Sequence, residues 1–103
     1  MHKPIMIVST YPNKKSISKI ANKLVQEKLV ACVNMTEISS VYSWKGKIEN
    51  ADEVLAIFKT TQKNKAKVKN EIKITHPYNV PEIAEIQINS INKPYLDWLV
   101  GST

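Results

Sequence analysis

The chain has 103 residues, a formal charge of +6 and hydrophobic residues at 43%, which predicts one globular domain rather than a disordered chain. All of its basic residues are lysine and it carries one cysteine, so an intrachain disulfide is impossible. Arginine, the usual bidentate reader of phosphate and guanine, is missing, and this argues against a nucleic-acid partner.

The densest lysine group, Lys63, Lys65, Lys67, Lys69 and Lys73, is spread around a helix rather than set along one face. It reads as a solvated surface. No apolar run approaches the roughly 20 residues needed to cross a bilayer, and the run Ile5 to Val8 is too short for a signal-peptide core. A soluble, cytoplasmic protein with no membrane contact is expected, and the lone Cys32 as a buried thiol fits a reducing compartment. A chain this short buries only about two-thirds of its unfolded surface, so assembly is a natural way to bury more.

Ile5 to Thr10 predicts a buried first strand, and Tyr11-Pro12-Asn13 a turn. Ile17, Ile20, Ala21, Leu24, Val25 and Leu29 then recur at helical spacing, with lysines and Gln26 opposite, which predicts an amphipathic helix of about four turns. A second strand starts at Val30 to Val33 and continues through a bend to Trp44. Lys45-Gly46-Lys47 marks a turn.

The third strand is predicted from Ile48 to about Thr61. Its centre, Val54 to Phe58, is apolar on both faces, as in a strand covered on both sides. One face is expected against helices and the other against another subunit. Asn64 to Thr75 predicts a weaker helix with Ala66, Val68 and Ile72 inward, ended by His76-Pro77. Ile83 to Ile88 is the fourth strand, and Pro94 starts a short helix carrying Tyr95, Leu96, Trp98 and Leu99. The order β-α-β-β-α-β plus a terminal helix is α+β and ferredoxin-like, with both main helices on one face of an antiparallel sheet. One domain spans residues 1–103.

A set of blocks then carries a resemblance. They are Ala31-Cys32-Val33-Asn34, Tyr42-Ser43-Trp44-Lys45-Gly46-Lys47, Glu53-Val54, Lys59-Thr60, His76-Pro77-Tyr78-Asn79-Val80-Pro81-Glu82-Ile83 and Tyr95-Leu96-Asp97-Trp98. In this order and over nearly the whole chain, they resemble the CutA divalent-cation tolerance family. The resemblance implies a homotrimer whose long second and third strands pack edge to edge with neighbouring subunits, which would also satisfy open strand edges. The family is similar to the PII signalling proteins in subunit fold and trimeric assembly, an analogy that carries no function by itself. Met35 to Ser39 departs from the pattern: it is about one residue shorter and lacks the usual proline and glycine, so a bulge or loop there is expected to differ.

Two functional classes follow from the resemblance. The first is divalent-cation tolerance with direct metal binding. Copper ligands proposed in some members are a first-strand cysteine and two adjacent histidines. Here those positions hold Ser9, Thr75 and His76, so only His76 remains as a metal ligand. Cys32 lies in another segment, and His2 near the amino terminus offers only adventitious binding. A soft divalent site wants several imidazole or thiolate ligands. No cofactor is therefore required, and Cu²⁺ or another divalent cation is expected to bind weakly. The second class is a PII-like sensor that takes a small molecule in a cleft between subunits, formed by Trp44, Lys59, His76, Tyr78 and Glu82. Against it stands the plain reading that Trp44 and Tyr78 pack an interface while Lys59 and Glu82 pair. Catalysis is not expected: with two glycines, Gly46 and Gly101, no phosphate loop can form, and no nucleophile lies beside a base in sequence.

Overall fold

Strand β1 (Pro4–Tyr11) runs straight into helix α1 (Lys14–Gln26) because Asn13 caps it. The Asn13 side chain accepts the Ser16 N–H at 2.8 Å, and the Ser16 hydroxyl donates back to the Asn13 carbonyl at 2.8 Å, so two polar groups at the helix entrance are satisfied reciprocally. The helix stops in a Schellman motif. Leu29 N–H reaches Leu24 O at 3.0 Å and Lys28 N–H reaches Val25 O at 3.1 Å, with Lys28 in the left-handed region at φ 59°. The chain then continues through β2 (Cys32–Trp44), β3 (Lys47–Thr61), α2 (Lys65–Thr75), β4 (Ala84–Gln87) and α3 (Lys93–Gly101). This computed structural model describes residues 3–103, so His2 lies outside the described residues.

The four strands form one antiparallel sheet in the order β2-β3-β1-β4, the ferredoxin-like arrangement read from the sequence. One face is closed by α1 and α2. Ile5, Ile7 and Tyr11 from β1, Val54, Ala56 and Phe58 from β3, Ile17, Ile20 and Leu24 from α1, and Val68 and Ile72 from α2 make the core. The period-2 and period-3.6 patterns meet there, so each element buries the stripe its sequence carries. Thr60, fully buried on this face, donates to Leu29 O at 2.6 Å and ties β3 to the segment after α1.

The other face holds Met6, Val8, Leu55 and Ile57, the half-buried alternates of β1 and β3. The β4 register puts Ala84 opposite Val8 and Ile86 opposite Met6, so the apolar alternates of β4 join this second face. Its polar alternate, Glu85, turns to the helix side, where Lys69 at 2.6 Å and Lys65 at 3.3 Å bond it. These two lysines, Lys69 first, hold the Glu85 carboxyl below the usual carboxylate range. Helix α3, with Pro94 in its first turn, contacts β1 and β3, and Lys59 Nζ stands 5.5 Å from the Tyr95 ring centroid.

Three expectations change. Val25 is 42% exposed, and Ala66 is exposed as well: in each case the helical stripe is narrower than the sequence pattern. Where Met35 to Ser39 was expected to depart from the family pattern, the β2–β3 ladder runs in one unbroken register from Cys32 opposite Lys59 to Trp44 opposite Lys47. Cys32 is half-buried rather than enclosed, its Sγ 3.7 Å from Asn34 Oδ1. Strand β4 is shorter than Ile83 to Ile88 because it pairs only with Ile5–Val8 of β1. Among the described residues no helix is long and apolar enough to cross a membrane.

Beyond Val54, β3 loses β1 as a neighbour, and the β2–β3 hairpin continues alone to the Lys45-Gly46 turn. Val41 and Ile48 near its tip are 69% and 71% exposed. The projecting hairpin gives the molecule its long axis, 45 Å against 26 and 21 Å.

Candidate functional site

Pro77 pushes His76 out of the helical region, and His76 caps α2 at φ −71° and ψ 134°. That turn brings the imidazole over the end of β1. Its Nδ1 accepts the Tyr78 N–H at 3.1 Å, which places the ring proton on Nε2. Nε2 donates to Thr10 O at 2.9 Å, with Ser9 Oγ 3.1 Å from the same nitrogen. The ring stacks on Tyr11 at 4.1 Å and tilts against Tyr78 at 5.1 Å. Burial pushes the His76 pKa down, against smaller opposing pulls from Thr10 and Glu53, so the imidazole is neutral at neutral pH. Tyr11 Oη is buried without a well-formed hydrogen bond among the described residues. Burial drives its phenol up to about 12, with nearby Ser9 pulling the other way.

Both ring nitrogens of His76 are therefore engaged within the chain. Ser9 and Thr75, at the other two positions the resemblance marks for copper, are engaged too: Ser9 with His76, and Thr75 with the Glu71 carbonyl at 2.6 Å. Position 9 does touch position 76, so the resemblance picks out a real contact, but there the Nε2–H is directed at Thr10 O with Ser9 Oγ beside it. Among the described residues, no three of His, Cys, Asp and Glu gather as a metal-binding group.

In front of His76 the 78–82 loop faces the hairpin across a cleft of about 470 Å³, lined by Tyr42, Trp44, Glu53, Tyr78, Val80 and Glu82 with Thr10, Ser40, Val41 and Asn79. Tyr78 Oη donates to Glu53 Oε2 at 2.7 Å and closes the cleft's floor. Burial, then Glu53, holds the Tyr78 phenol far above its ordinary range. Trp44 is 47% exposed and offers a ring face, beside which Lys45 Nζ stands 6.0 Å from the centroid.

The five residues were expected in a cleft between subunits; within one chain, Trp44, Tyr78 and Glu82 line this cleft, and His76 sets the Tyr78 backbone from behind. Lys59 does not join them. It lies opposite Cys32 and Met6, six residues along β3 from Glu53, about 20 Å of strand, and turns to Tyr95 instead. Lys59 and Glu82 are not an ion pair within the chain. Tyr42 and Glu53 were missed as site residues. The usable signal for Glu53 was a carboxylate set directly before the apolar run of a strand; for Tyr42 it was its period-2 match to Trp44.

The family model described as CutA1 divalent ion tolerance protein matches residues 5–102. The chain belongs to this family. The CutA of Pyrococcus horikoshii, a divalent-cation tolerance protein, is 40% identical over 99 residues, covering 96% of this chain and 97% of the relative. The crystal structure of the CutA1 of Ehrlichia chaffeensis superposes with a TM-score of 0.93 at 32% identity, covering 99% of this chain and 96% of that one. The CutA of Archaeoglobus fulgidus, described as periplasmic, gives a TM-score of 0.91 at 38% identity over 96% and 97% of the two chains. CutA1 membership thus spans the sheet, both main helices and the loop that carries the cleft.

Proposed function

We propose that this CutA1 chain works as a homotrimeric, non-catalytic binding protein whose cleft beside Trp44, Tyr78 and Glu82 takes a small molecule, with divalent cations bound weakly or sensed indirectly. The observation that carries it is the cleft itself. Aromatic walls, two carboxylates and a loop fixed by His76 make a concave, largely apolar site with a few placed polar groups, the usual character of a ligand pocket. Its volume suits an organic molecule rather than a bare ion.

Direct, tight metal binding is disfavoured because a metal at either His76 nitrogen would have to displace the Tyr78 or the Thr10 bond. Catalysis is disfavoured by the same geometry. Ser9 and His76 are in contact, but Nε2 already carries its proton and gives it to Thr10 O, so it cannot accept one from Ser9. A cytoplasmic setting suits the unpaired, partly exposed Cys32.

Titration calorimetry with Cu²⁺ tests the metal half of this reading. Affinity is expected to be micromolar or weaker in the wild type and lower in His76→Ala. A nanomolar site that survives His76→Ala overturns the proposal. A thermal-shift screen of metabolites, nucleotides and divalent cations tests the other half. A ligand at a hundred times its dissociation constant stabilises its site by about 2.7 kcal/mol, and that gain should shrink in Trp44→Ala.

A further inference from the structure

The ligand class is legible from charge and burial together, and the argument rests on the cleft reading above. Glu53 is 9% exposed and lies in the cleft wall. One of its oxygens accepts the Tyr78 hydroxyl at 2.7 Å. Its other oxygen has no hydrogen-bond partner, and no lysine or histidine pairs with it among the described residues. That second oxygen is not among the buried polar atoms left without a partner, where Tyr11 Oη stands alone among the described residues, so it opens on the cleft and is free to accept from a donor that enters it. Glu82 adds a second carboxylate to the same cleft, while Tyr42, Trp44 and Tyr78 supply three aromatic rings.

We propose that the cleft binds a primary alkylammonium ligand, an organic amine whose N–H donors reach Glu53 and whose carbon chain lies against Trp44 and Tyr42. Aromatic faces attract weakly hydrated cations and cover their carbon stems. A bare divalent ion would need several oxygen ligands in a compact shell, which rings cannot supply. Lys45 illustrates the affinity in place, since its own ammonium stands 6.0 Å from the Trp44 centroid. Within the chain Lys59, the cation that would hold an anionic ligand, lies about 20 Å along β3 from Glu53.

Titration of the assembled protein with putrescine at fixed ionic strength tests this, with glutarate as the anionic control and MgCl₂ as the metal control. Saturable putrescine binding is expected, weakened at least tenfold in Glu53→Gln and severalfold in Trp44→Leu, with a tryptophan fluorescence change on binding that Trp44→Leu, which keeps Trp98, does not show. Gln is isosteric and keeps an oxygen for Tyr78. Should that variant not fold, the exposed Glu82→Gln supplies the test, with a severalfold loss expected. Absence of saturable putrescine binding, or equal binding by the carboxylate variants, overturns the proposal. Displacement of putrescine by Mg²⁺ at lower concentration overturns it in favour of a metal. Glutarate binding that Trp44→Leu abolishes, without putrescine binding, overturns the ammonium class and leaves the cleft reading standing.

Discussion

His76 shows how one residue couples the loop to the sheet. Burial disfavours the charged imidazolium, and protonating Nδ1 would also remove the acceptor of the Tyr78 N–H, so the folded state resists it. The folded pKa therefore lies below the unfolded value of about 6.5. The unfolded chain binds this proton first, so the His76 contribution is fully present above about pH 6.5. It is lost as pH falls from there through the folded pKa. Urea midpoints measured between pH 7.5 and 5.5 should fall in the wild type, and this part of the slope should vanish in His76→Asn. An identical pH dependence in the two proteins would sink the assignment. The residues legible in advance were the conspicuous ones: a tryptophan beside a turn, and a histidine and tyrosine around a proline. Lys59 stands apart from them within one chain, because a motif says nothing of how far along a strand its residue will sit. That distance depends on the pairing register, and six residues of β3 carry Lys59 to the other end of the sheet.

Elements were readable wherever local chemistry and periodicity agreed. Asn13 starts α1 by its side chain, Pro77 ends α2 by its ring, and Gly46 turns the hairpin. The readings slipped where the apolar period ran past a real boundary. Leu29 continues the α1 stripe by spacing, yet the helix ends at Gln26, and Leu29 packs on the core only after the Schellman turn has folded it back. The unbroken β2–β3 register likewise was not visible in the shortened Met35 to Ser39 segment. The turn itself has Lys45 at φ 51° and Gly46 at φ 79°, both left-handed, as a two-residue type I′ loop demands. No atom lies within 4 Å of where a Gly46 Cβ would stand, so Gly46→Ala isolates the backbone cost. It should destabilise by about 1 kcal/mol, while Lys28→Gly, at the left-handed end of α1, should stabilise by up to about 1 kcal/mol. Denaturant midpoints at constant m-value check both signs. Two changes of the same sign would rule out the conformational account.

At the scale of the molecule, the sheet has one face closed by helices and one only partly covered by α3. Met6, Val8, Leu55 and Ile57 stay half-buried, and Ile86 is 42% exposed. The hairpin beyond the sheet adds Ile48, which is 71% exposed and lies outside the cleft lining. An 11.7 kDa chain gains much by covering this surface, because each buried Val, Leu, Ile or Met side chain contributes about 1.5–3 kcal/mol. Chain repetition is the economical solution, since a copy brings matching strand edges along with the apolar face. For the homotrimer proposed above, light scattering at micromolar concentration should give three times the chain mass. Ile57→Glu, which sets a charge on the half-covered face without touching the α1–α2 core, should dissociate the assembly and lower its thermal midpoint. Lys19→Glu, on the exposed side of α1, should leave both unchanged. A wild-type monomer, or an Ile57→Glu protein that keeps both mass and midpoint, would remove this face from the interface. Dissociation by both variants would instead trace the assembly to surface charge, because Lys19 lies across the helix layer from that face.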